Sequence, residues 1–199
     1  VGMISLHVKD SCGKYLHLML LTVLLNDLFG IQSRAGCSCA GPSGHRLLAS
    51  DEATSEKYRV AVRQGHCGLK PGWCRVGLHW VMDDAEANYV IEAVHFLARE
   101  GHQFLALYDF DLASGTWAHK HGSVSLQKFS LEAALAARQG EPATLSLQLR
   151  QQLYRHYMSE AQKIADRLRN EPEAKLRSLE GELGDLQFFA MPDDERPAH

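Results

Sequence analysis

A chain of 199 residues with 45% hydrophobic and 23% charged side chains can bury one core, and one domain plus a helical extension is the expectation. Its 21 Lys and Arg against 24 Asp and Glu leave a net charge of -3, which excludes the basic footprint of a nucleic-acid binder. Five cysteines, an odd number without a secretory signal pattern, argue against a disulfide framework and for a reducing, cytoplasmic setting.

The first element in chain order is a strand near Met3 to Val8, where polar and apolar residues partly alternate, followed by a turn at Asp10 to Gly13. A helix is predicted from about Lys14 to Phe29. Its apolar run, Leu18 to Leu25, is far short of the roughly 20 residues that cross a bilayer, so no membrane span is expected and the helix is read as buried. Gly30 suits the left-handed conformation that ends helices, and Ile31 to Ser33 then form a short strand that delivers Arg34 to a loop.

Residues Gly41 to Arg63 are predicted to be loop and short helix, and Gly65 to Gly72 a hinge before a strand from Cys74 to Met82. On that strand Arg75, Gly77, His79 and Val81 share a face by the period of two. Asp83 to Glu86 carry the spacing of a capping box, opening a helix that runs to Glu100 and stops at Gly101, with Val90, Ile91, Val94, Leu97 and Ala98 as its apolar stripe. Phe104 to Phe110 returns as a strand, with a turn at Ser114 and Gly115. Strands and helices interleaved in this way predict an α/β unit built over one small sheet.

Beyond Ser123 the character changes to short helix signals at Leu131 to Arg138 and a long amphipathic run from Ser146 to Asn170. There Leu149, Leu153, Tyr157, Ile164 and Leu168 fall largely on one side. Pro172 interrupts it, a weaker helical segment follows from Glu173 to Leu183, and the apolar Phe188 to Pro192 is expected to dock on the body ahead of a frayed end. The division is residues 1–122 and a helical extension, 123–199.

The densest chemistry lies in Ile31 to Pro42, IQSRAGCSCAGP. Gly36, Ala40 and Gly41 allow close approach of backbone to a ligand, and Arg34 beside a thiol favours the reactive thiolate. Cys37 and Cys39 are therefore candidate nucleophiles, with His45 as a proton carrier or a loop-ordering group; small buried hydrophobes are the bland alternative for both thiols. A zinc site from Cys37, Cys39, His45, Cys67 and Cys74 ranks well below, because C-x-C is not the usual knuckle and a Gly-Pro hinge separates Cys67 from Cys74, so no metal is expected.

The order Arg34-x-Gly36-x-x-Cys39-Ala40-x-Pro42, then Lys70-Pro71-Gly72-Trp73-Cys74-Arg75-Val76, resembles the small C-terminal domain of class V aminotransferases and cysteine desulfurases. LLNDLFGIQ at Leu24 to Gln32 and CSCAGP strengthen the resemblance, which covers about Tyr15 to Glu100 and echoes weakly at Asp109 to His119. It implies the small domain of pyridoxal-phosphate fold type I, a short mixed sheet with packed helices, in an enzyme that acts on an amino acid and forms a homodimer. It also implies that Cys39 is the cysteine that attacks substrate sulfur in the desulfurase branch, while Arg75 grips the substrate carboxylate. Arg34 and His45 are assigned less sharply to substrate binding.

The family's cofactor lysine belongs to a large domain preceding this one, and that domain is expected to lie outside the 199 residues. His119-Lys120 comes after the cysteine loop, in the wrong order, and is read as a solvated turn. The competing expectation is a non-catalytic domain or pseudoenzyme that serves as an interaction or dimerisation module. Transamination and sulfur transfer both remain open, since a shared fold does not choose a reaction.

Overall fold

The computed structural model describes residues 2–9, 13–36, 51–122, 130–132, 135, 145–172 and 174–193. The turn expected at Asp10 to Gly13, the short helix at Leu131 to Arg138 and the frayed terminus fall wholly or partly outside them.

Helix α1, Leu18–Phe29, is the axis of the core, with Leu20, Leu21, Leu24, Leu25 and Phe29 all buried. Each such side chain contributes roughly 1.5–3 kcal/mol on burial. The helix begins later than Lys14 because Lys14 to His17 are committed elsewhere. Leu16 N–H donates to Val8 C=O at 2.8 Å, Tyr15 N–H to Phe188 C=O at 3.2 Å, and Ala190 N–H to Tyr15 C=O at 3.0 Å. The expected left-handed stop holds: Gly30 has φ 65°, and its N–H and that of Ile31 cap Asn26 and Leu25 at 2.9 Å each.

Strand β1, Gly2–Leu6, β2, Arg34–Gly36, and β3, Trp73–Leu78, form a sheet in the order β1-β3-β2. Both pairings are antiparallel, so the mixed sheet expected from the resemblance is corrected. The strand predicted at Ile31 to Ser33 lies three residues later. The strand predicted to reach Met82 ends at Leu78, because Met82 N–H turns back to His79 C=O at 3.0 Å; Arg75 and Gly77 keep their common face, while His79 and Val81 are in the turn.

Helix α2, Glu52–Arg63, leads to a single 3₁₀ turn, Cys67–Leu69, before β3. Helix α3, Asp84–Glu100, starts as the capping pattern predicts, with Asp83 Oδ1 accepting from Glu86 N–H at 2.9 Å. Its buried side is Tyr89, Val90, Ala93, Phe96 and Leu97; Ile91 and Ala98 face solvent, a rotation of the expected stripe caused by the two large aromatics. The strand predicted from Phe104 begins only at Tyr108, because Gly101–Leu107 wind into 3₁₀ turns that bury Phe104 and Leu105. Strands β4, Tyr108–Asp111, and β5, Thr116–His119, make a separate antiparallel hairpin, so the strands do not share one sheet.

Helix α4, Leu147–Arg169, matches the predicted amphipathic run, with Ser146 capping its start. Ala161, Ala165 and Leu168 are its buried residues, and Tyr154 and Met158 pack on the core, whereas Leu149 and Tyr157 are exposed. Tyr154 stacks on Tyr89 at 4.2 Å between ring centroids. Arg150 joins Asp83 at 2.5 Å and Arg169 joins Glu100 at 2.5 Å, tying α4 to both ends of α3. The weak helical segment predicted after Pro172 is instead strand β6, Leu176–Arg177, and the short helix α5, Gly181–Leu186. The docking tail is as expected: Phe189, Ala190 and Met191 are buried, and β7, Met191–Pro192, pairs with β6.

These elements are mixed α/β, and residues of α4 and the tail belong to the same core cluster as α1 and β3. Its polar hub is His17. Its Nδ1 accepts from the Trp117 indole N–H at 2.9 Å and from Met19 N–H at 3.2 Å, so Nε2 carries the proton, 3.1 Å from Gly68 C=O. Burial among Phe110, Trp117 and Phe189 depresses its pKa to about 4, the Gly68 hydrogen bond opposing. Among the described residues no helix is long and apolar enough to cross a membrane.

Candidate functional site

Of the predicted site residues, the structure describes Arg34 and Arg75; Cys37, Cys39 and His45 lie outside the described residues. The two arginines come together. Arg34 is the register partner of Arg75 across β2 and β3, and Ser5 of β1 is Arg75's partner on the other side. Directly opposed residues project to the same face, with Cβ atoms about 5 Å apart. Ser5, Arg75 and Arg34 therefore form one row across the sheet.

The sequence directs that row outward. Alternation along β3 sends Cys74 and Val76 into the core beneath the sheet and leaves Trp73, Arg75 and Gly77 on the opposite face. Cys74 is fixed below by Thr22 Oγ1 of α1 at 3.9 Å and Ser33 Oγ at 3.7 Å. Burial raises its thiol pKa, with those two hydrogen bonds opposing, so it is a packing thiol rather than a nucleophile. Cys67, on the 3₁₀ turn, is exposed. The described residues contain no group of three His, Cys, Asp or Glu side chains placed to hold a metal ion.

On the outer face Arg34 is exposed and Arg75 half-buried. Arg75 Nη1 lies 3.5 Å from Met3 Sδ, a weak acceptor that anchors the side chain without neutralising it. Among the described residues neither guanidinium has a carboxylate partner, and the three strands contain no Asp or Glu. Trp73, two residues before Arg75 on the same face, is buried yet outside the core cluster, and its indole N–H has no hydrogen-bond partner among the described residues. Two forked cations without a counter-charge among the described residues can each present paired N–H donors to an oxyanion, the geometry that binds carboxylate bidentately.

Ser5 and Met3 are members of the row that sequence reasoning did not single out. The signal was present, since Met3 and Ser5 share one face of the predicted strand, but only the β1–β3 register reveals that this is the arginine face. The three strands contain no lysine. Lys120, at the end of β5, is exposed and lies on the separate hairpin.

Comparisons with known protein families, with curated proteins and with solved structures give no match for this chain.

Proposed function

We propose that the chain is the C-terminal portion of a pyridoxal-phosphate enzyme of the class V aminotransferase and cysteine desulfurase type, acting on an amino acid, with the cofactor held by a preceding domain. The observation that carries this reading is the pairing of Arg34 with Arg75 on an open sheet face, because two positions assigned to substrate from separate motifs become neighbours. The loop motif and the KPGW motif lie on different strands, and only β2–β3 pairing in this register brings their arginines into one row.

In this reading Arg75 binds the substrate carboxylate through two parallel hydrogen bonds, and Arg34 adds positive field beside it. The cofactor, when bound, supplies the electron sink. This chain's part is to hold and orient the substrate, a contribution to catalysis through positioning. Cys39, which follows β2 by three residues, is the proposed nucleophile if the reaction is sulfur transfer. A cytoplasmic homodimer accompanies the proposal.

The test uses the protein in its full-length form, supplied with pyridoxal phosphate and a panel of amino acids. Oxo acid formation supports transamination, and alanine with sulfide or persulfide from cysteine supports desulfuration. Failure of every amino acid to bind or react overturns the proposal and favours an interaction module.

A further inference from the structure

A cleft of about 830 Å³ opens between the β4–β5 hairpin and the tail strands β6 and β7. None of the described residues lining it belongs to the sheet of β1, β3 and β2, so it is separate from the arginine face. We infer that this cleft binds a short zwitterionic peptide, one with a free amino and a free carboxyl end. Its volume lies within the roughly 300–1,000 Å³ of ligand-binding clefts and is more than a single amino acid fills.

The charges of the lining select that class. His119 and Lys120 belong to the hairpin wall and Asp193 to the tail wall. His119 Nδ1 accepts from His121 N–H at 3.2 Å, so its Nε2 carries the proton and is a donor. Neither the Lys120 ammonium nor the Asp193 carboxylate forms an ion pair among the described residues. An ammonium beside an imidazole N–H suits a carboxylate through charge-assisted hydrogen bonds, and the carboxylate of Asp193 suits an ammonium. Asp109 and Lys175 add one further charge of each sign, so the lining disfavours a ligand that is only an anion or only a cation. Alanines and prolines make up most of the remainder, small apolar surfaces that accept peptide backbone and short side chains. Both walls are fixed by the chain itself: Lys120 N–H donates to Leu107 C=O at 2.9 Å, and Asp193 N–H to Lys175 C=O at 2.8 Å. A cleft held in this way spends little on ordering when a ligand enters.

Calorimetric titration of the full-length protein at low salt tests this with tri-L-alanine, its C-terminal amide, its N-acetyl form, L-alanine and inorganic phosphate as separate probes. Tri-L-alanine should bind more tightly than each of the other four by about tenfold or more, the scale of one lost charge-assisted hydrogen bond. Lys120→Gln should weaken tri-L-alanine and leave the amide unchanged, and Asp193→Asn should weaken it and leave the N-acetyl form unchanged. Both side chains are exposed, so the variants keep the fold, as circular dichroism should show. Arg75→Gln should leave tri-L-alanine binding as it is. L-alanine or inorganic phosphate binding as tightly as the tripeptide overturns the peptide class. Equal affinity for the free and blocked tripeptides overturns the zwitterion. Loss of the tripeptide in Arg75→Gln assigns it to the sheet face and overturns the cleft, as does binding unchanged by both Lys120→Gln and Asp193→Asn. Absence of any tripeptide binding overturns the inference outright and leaves the proposal for the arginine face standing.

Discussion

Arg34 and Arg75 stand directly opposite one another across β2 and β3, two cations on one face with no carboxylate partner among the described residues. A core-building role does not explain them, because the buried face of β3 is occupied by Cys74 and Val76. Binding sites often retain locally unfavourable arrangements of this kind. Arg34→Gln should therefore stabilise the unliganded chain modestly, by about 0.2–1 kcal/mol, the scale of a relieved cross-strand repulsion. Urea unfolding at low salt checks this; a loss of stability in the variant would mean that Arg34 has a structural partner.

His17 sets an acid limit on stability. Its folded-state pKa is about 4, against 6.5 for the exposed side chain. Above pH 6.5 both states are neutral and the full stability is present. Between 6.5 and 4 the unfolded chain takes up a proton that the folded chain refuses, so stability falls with pH, by about 3 kcal/mol in all, and the loss is complete once pH passes below the folded value. Unfolding free energies measured at several pH values should show this slope, and His17→Gln should flatten it despite being less stable at pH 7. An unchanged slope in the variant would assign the acid sensitivity to other groups.

Gly68 has no room for a side chain. A Cβ there would sit 2.5 Å from Phe110 Cζ and 3.0 Å from Leu112 O, and the residue's carbonyl also accepts from His17. Gly68→Ala should destabilise the fold by about 1–3 kcal/mol, the usual cost of overpacking. Thermal unfolding would register this as a lower melting temperature; a neutral result would show that the β4–β5 hairpin moves freely.

Thiol chemistry should separate Cys67 from Cys74. Brief alkylation of the native chain followed by peptide mapping should label exposed Cys67 and leave Cys74 unmodified until the chain is unfolded. Rapid labelling of Cys74 in the native chain would contradict its burial beneath the sheet.

Local signals made several elements legible in the sequence. Asp83 before an acidic first turn marked the start of α3, Gly30 the end of α1, and the apolar periodicity from Ser146 to Asn170 marked α4 nearly to the residue. Non-local competition hid the rest. Lys14 to His17 have helical neighbours but serve as bridge and cap because Val8 and Phe188 claim their backbone groups, and Phe104 to Leu107 favour strand by composition yet coil to bury Phe104. At the site, both arginines were identifiable from their motifs. Their juxtaposition was not, because register depends on which strands pair, and a strand starting at Arg34 rather than Ile31 changes every partner.

Arg75→Lys in the full-length protein supplied with pyridoxal phosphate tests the proposed grip of Arg75 on a substrate carboxylate. A lysine keeps the charge but cannot reproduce two parallel hydrogen bonds. Losing that pairing should weaken amino-acid binding by about 2–4 kcal/mol. The Michaelis constant for the preferred amino acid should accordingly rise by about 30-fold or more. Unchanged kinetics in Arg75→Lys would overturn the proposed carboxylate grip.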